Sequence, residues 1–94
     1  MIILQIEHPV PDYSSWKKAF DIDPVNRKQS GVKRHRIFRQ TDNPNYVLIE
    51  LEFEKLKEAK ELLAALRGIW KQIEGKIIIG PKTRIMEMVE DLQY

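Results

Sequence analysis

The stretch from residue 31 to residue 53 constrains this chain more than any other. It reads GVKRHRIFRQTDNPNYVLIELEF, two extended runs joined by Thr41-Asp42-Asn43-Pro44-Asn45. A turn cluster of this kind between alternating runs specifies a β-hairpin, and Asn-Pro favours turn initiation. Side chains in a strand alternate between faces. With Gln40 opposite Tyr46, Phe38 meets Leu48, Arg36 meets Glu50 and Arg34 meets Glu52. The other face then pairs Arg39, Ile37 and His35 with Val47, Ile49 and Leu51. One face carries two opposite-charge pairs, each contributing a few tenths to about 1 kcal/mol. The other is mostly aliphatic and needs a cover. A slip of one residue would set Ile37 against Glu50 and mix the two faces, so the pattern specifies its own register.

The segments on either side of the hairpin supply that cover. Residues 1–8 alternate, with Ile2, Leu4 and Ile6 on one face, and read as a strand ended by Pro9-Val10-Pro11. Asp12 is placed to cap a helix starting near Tyr13. Tyr13, Trp16 and Phe20 recur at spacings of three and four, which is one helical face. Asp23-Pro24 breaks that helix, because proline excludes helical geometry in the residue before it. Val25–Ser30 is expected to form a further helical turn or two, stopped by Gly31 in a left-handed conformation. Residues 54–74 show a second helical stripe of Leu56, Ala59, Leu62, Leu63, Leu66, Ile69, Trp70 and Ile73, with a kink or split expected at Gly68 and a stop at Gly75. A short edge strand is expected at Ile77–Ile79, and a final strand over Thr83–Glu90.

The order strand, helix, strand, strand, helix, strand is the split βαβ, or ferredoxin-like, arrangement. The expectation is an α+β fold of type βαββαβ: one four-stranded antiparallel sheet with both helices on the Ile37/Val47/Ile49/Leu51 face. Residues 1–94 form a single domain. A chain this short buries roughly 60–65% of its unfolded surface, so a second subunit over the open sheet face would add needed burial.

Composition removes several functions. The net charge is only +2, too small to argue for nucleic acid or an anionic membrane surface. There is no cysteine, hence no disulfide framework and no thiolate chemistry, which fits a cytoplasmic setting. Met1–Leu4 is too short an apolar run for a signal core or a membrane span. Lys33-Arg34-His35-Arg36 resembles a basic nucleic-acid patch, but alternation divides it between two faces. The third strand of an RNA-recognition domain would carry base-stacking aromatics, whereas this one presents Glu50 and Glu52. Two histidines, His8 and His35, without a carboxylate pattern do not make a metal site.

Gly31-Val32, Phe38-Arg39 and Asp42-Asn43-Pro44-Asn45-Tyr46-Val47-Leu48 together resemble the central hairpin of the dimeric α/β-barrel superfamily, in its antibiotic-biosynthesis-monooxygenase-like branch. Pro11-Asp12-Tyr13, Trp16 and Phe20-Asp21 resemble small bacterial members of that superfamily. The resemblance implies a homodimer in which two sheets pack through their open faces, with the helices outside. It also implies activities ranging from cofactor-free oxygenases of aromatic substrates to haem degradation and isomerisation. The haem-degrading members use a histidine on the second helix, and residues 56–74 contain none. No cofactor and no metal is expected.

Trp16, Phe20, Ile37 and Trp70 are the expected lining of a pocket for a small apolar or aromatic ligand, between helices and sheet. In the oxygenase reading His35 is the base that takes a phenolic proton, and Arg39 holds the resulting anion. The alternative is a non-catalytic dimeric module, a small-ligand binder or a structural protein, in which these aromatics are ordinary core and His35 is a satisfied histidine. An enzyme needs open volume beside its base; a structural protein fills that space with Trp16 and Trp70.

Overall fold

The computed structural model describes residues 1–94. Six elements follow one another: β1 (Ile2–Pro9), α1 (Tyr13–Ile22), β2 (Arg34–Gln40), β3 (Asn43–Phe53), α2 (Leu56–Ile73) and β4 (Lys82–Glu87). The strands form one antiparallel sheet in the order β2-β3-β1-β4. This is the ferredoxin-like βαββαβ arrangement expected from the element order, with α1 and α2 on the same side.

The register of the hairpin follows the charge and apolar pattern along most of its length. Arg34 pairs with Glu52, His35 with Leu51, Arg36 with Glu50, Ile37 with Ile49, Phe38 with Leu48 and Arg39 with Val47. The end nearest the turn differs from expectation. Gln40 pairs with Asn43, not Tyr46, and the register shifts between Arg39 and Gln40. Residues 44–46 are therefore extra on the β3 side. They serve β1 instead: the Val10 N–H donates to the Asn45 carbonyl at 2.7 Å, and Tyr46 pairs with Pro9. Pro44 has no N–H to give to β2, so the departure costs the ladder no donor there.

Four further expectations are corrected at element ends. α2 runs unbroken through Gly68, because the glycine is solvent-facing and the flanking stripe packs continuously. Val25–Ser30 forms successive turns, not a helix. Ile77–Ile79 is no strand; only an isolated bridge joins Glu74 to Ile78. β4 stops at Glu87, and the Met88 N–H donating to the Met1 carbonyl at 2.9 Å is the last rung.

The core lies between sheet and helices. Leu4 and Ile6 of β1 and Val47, Ile49, Leu51 and Phe53 of β3 meet Trp16 of α1 and Ala59, Leu62 and Leu63 of α2. Each large aliphatic or aromatic side chain buried there contributes roughly 1.5–3 kcal/mol. β1 and β3 occupy the middle of the sheet, and their inward residues are the most deeply covered. β2 is an edge strand, and of its residues only Ile37 is half-buried.

The opposite sheet face carries the expected ion pairs, Arg36–Glu50 at 2.8 Å and Arg34–Glu52 at 3.5 Å, plus Arg84–Glu7 at 3.4 Å. Phe38, Leu48 and Met86 lie among them, Phe38 being 46% exposed. No helix is long and apolar enough to cross a membrane.

Candidate functional site

α1 is set by its ends. Asp12 accepts from the Ser15 N–H at 3.0 Å and from its hydroxyl at 2.7 Å, satisfying an otherwise orphaned donor of the first turn. At the other end Asp23 takes a left-handed backbone, φ 57°, and its N–H donates to the Phe20 carbonyl at 3.1 Å. Between these caps the inward stripe is aromatic. Tyr13 and Trp16 have centroids 5.7 Å apart, and Trp16 and Phe20 5.3 Å. The series extends onto the sheet at both ends: Trp16 meets the edge of His8 at 6.0 Å, and Phe20 meets His35 at 5.2 Å.

α1 and α2 do not close over the middle of the sheet. A cavity of about 240 Å³ remains between them, above Ile6, Ile49 and Leu51. Trp16, Ala19 and Phe20 wall it on the α1 side, and Leu66, Ile69, Trp70 and Ile73 on the α2 side. Ile77 and Ile78 close one end. Fourteen of the seventeen lining residues are hydrophobic, so the polar exceptions, His8 and Arg27, carry whatever chemistry the cavity has.

His8 is 2% exposed. The even positions of β1 face the helices, and His8 continues the line of Ile2, Leu4 and Ile6 to the end of the strand, opposite Val47. Its Nδ1 donates to the Pro9 carbonyl at 3.1 Å. A carbonyl can only accept, so Nδ1 carries the proton. Burial in apolar surroundings pushes the ring pKa below 6.5, against a weaker upward pull from that hydrogen bond. The ring is therefore neutral at pH 7, and Nε2 is an unprotonated acceptor. His8 is one of the residues that line the cavity.

Arg27 arrives from the loop after α1. Its Nη1 donates to the Phe20 carbonyl at 2.9 Å and lies 3.4 Å from Asp23 Oδ1. Its guanidinium sits 3.8 Å from the centroid of the Phe20 ring, a cation–π contact. Those contacts finish the C-terminus of α1 and leave further N–H donors of the fork beside the cavity wall.

Of the residues expected at the site, Trp16, Phe20 and Trp70 line this cavity; Ile37, His35 and Arg39 do not. The difference comes from the edge position of β2. His35 is exposed, its ring set against Phe20. Its pKa is lowered by partial desolvation, with Arg27 and Lys17 nearby adding to the shift. Arg39 is exposed and lies 4.4 Å over the Tyr13 ring. His8, which the sequence did not single out for the site, is deeply buried at the end of β1. Continuing the period of two from Ile6 would have found it. Arg27 had no sequence signal, since its place depends on a loop that folds back under Phe20. No three histidine or carboxylate side chains converge on a point that could hold a metal.

No family model and no curated protein matches the sequence. Solved structures do. SnoaB, a cofactor-independent oxygenase from Streptomyces nogalater, superposes with a TM-score of 0.77 at 11% identity, covering 99% of this chain and 97% of that one. A provisionally assigned antibiotic biosynthesis monooxygenase from Deinococcus radiodurans gives 0.68 at 14% identity, covering 100% and 98%. A dimeric ferredoxin-like protein from an uncultured marine organism gives 0.67 at 10% identity, covering 97% of each. The chain thus has, end to end, the ferredoxin-like fold of the antibiotic-biosynthesis-monooxygenase-type structures.

Proposed function

We propose that the protein is a cofactor-independent monooxygenase-like enzyme acting on a small phenol whose para carbon carries a hydrogen, and that it works as a homodimer joined through the open sheet face. The observation that carries the reading is His8: a neutral imidazole with one nitrogen committed to the Pro9 carbonyl, beside an otherwise apolar cavity that also borders an arginine. Such a cavity desolvates a phenol and orients it between Trp16, Phe20 and Trp70. Its volume lies below the roughly 300–1,000 Å³ of sites for drug-sized ligands, so the fit is to one or two rings. His8 Nε2 takes the phenolic proton, and Arg27 holds the phenolate charge. The ring carbon para to the oxygen then adds dioxygen, forming a C–O bond and a hydroperoxide. Loss of the carbon's hydrogen and cleavage of the O–O bond give a quinone and water. Phenol plus O₂ gives quinone plus H₂O, so no external reductant is consumed. The likeness to SnoaB, a cofactor-independent oxygenase, supports the same chemistry.

Oxygen consumption with a panel of phenols and 1-naphthols free at the para position, in the presence of a chelator, tests this. One quinone per O₂ is expected, and His8→Gln is expected to lower the rate by about 10²–10⁴. If the loss follows His35→Ala instead, the base is on β2, with Arg39 as the anion's partner. If phenols quench tryptophan emission but no oxygen is consumed, the protein is a binding module.

A further inference from the structure

α2 borders a second recess on the far side of its tryptophan. This one is polar, about 270 Å³, and lined by Arg67, Trp70, Lys71, Glu74, Pro81 and Thr83. Trp70 is common to it and to the apolar cavity. Arg67 and Lys71 stand one helical turn apart, and Trp70 lies between them in sequence, so the three share one stretch of helix surface. Every ion pair of the molecule is made elsewhere, and neither cation has a carboxylate within 4.0 Å. Glu74 is the single acid of the recess, against two cations. An apolar chamber and a net-positive recess therefore meet at one indole.

We propose that the recess is an anion subsite for the molecule held in the cavity, which makes that phenol an aromatic hydroxy-carboxylate, anionic at neutral pH. This rests on the cavity being the ligand site and adds the chemical class of what fills it. The ring system lies among Trp16, Phe20 and Trp70. The carboxylate passes the edge of Trp70 to Arg67, whose planar fork matches it in two parallel hydrogen bonds, with Lys71 adding a second charge. Thr83, on the helix-facing side of β4, supplies a hydroxyl at the same recess.

Two probes of the same size separate the possibilities by quenching of tryptophan emission at neutral pH: 1-naphthol, which is uncharged, and 1-hydroxy-2-naphthoate, which is an anion. The naphthoate is expected to bind about ten-fold more tightly, and that preference is expected to shrink as salt rises. Arg67→Gln/Lys71→Gln, both at exposed positions, is expected to abolish the preference while leaving naphthol binding unchanged. Equal affinity for the two probes in the wild type overturns the subsite and leaves the cavity reading standing. A preference that survives the double substitution but disappears in Arg27→Gln also overturns it, by placing the anion inside the cavity. Binding of neither probe overturns the subsite and the cavity reading together.

Discussion

His8 and His35 share a sheet face and differ in everything that matters for chemistry. Both face the helices, but His8 is on a central strand under Trp16, and His35 is on the edge. Position in the sheet, not residue type, decides which imidazole is dry. The consequence for stability has a definite sign. The folded pKa of His8 lies below its unfolded value of 6.5, so as pH falls the unfolded chain takes up the proton first. The stabilisation is complete above pH 6.5 and is lost as pH falls through the folded value. Urea midpoints measured on either side of that range are expected to drop on the acid side in the wild type. His8→Gln is expected to flatten the drop in part, since the lowered pKa of His35 acts in the same direction. An unchanged slope in His8→Gln would show that His8 is hydrated in solution.

At the scale of elements, two glycines make opposite predictions. Gly68 lies inside α2 with nothing within 4 Å of where a Cβ would stand. Gly68→Ala is expected to stabilise the protein by about 0.5–1 kcal/mol, through the smaller entropy the chain loses in a helix. Gly31 has φ 102°, and a Cβ there would collide with the Glu58 carboxylate. Glu58 is a flexible side chain and can swing aside; the backbone cannot. Gly31→Ala is therefore expected to cost about 1–2 kcal/mol, and Glu58→Ala in the same chain is not expected to restore it. Chemical denaturation of the three variants checks both signs. Asp12→Ala, which removes the cap of α1, is expected to cost about 1 kcal/mol and to weaken ligand binding, because the aromatic wall of the cavity hangs on that helix.

At the scale of the molecule, the sheet has one face under helices and one face open. The open face mixes ion pairs with Phe38, Leu48 and Met86, and a second copy related by a two-fold axis would cover the apolar side chains while leaving the paired charges matched. That is the arrangement of the homodimer in the proposed function. Sedimentation of the wild type is expected to give a dimer. Phe38→Asp is expected to shift it to monomer without loss of helical signal, since the side chain touches no part of the helix-covered core. A wild type that sediments as a monomer would remove the dimer from the proposed function.

Alternation and helical spacing are local properties of a chain, and they were sufficient for the element order, the covered face of the hairpin and six of its cross-strand pairs. They carry no information about which strand lies at an edge, because that depends on which partner each strand finds across the sheet. The placement of β2 at the edge, the burial of His8, the fold-back of Arg27 onto Phe20 and the gap between α1 and α2 were therefore decided only by tertiary structure. Each is set by contacts between residues distant in sequence, where a one-dimensional period has no reach.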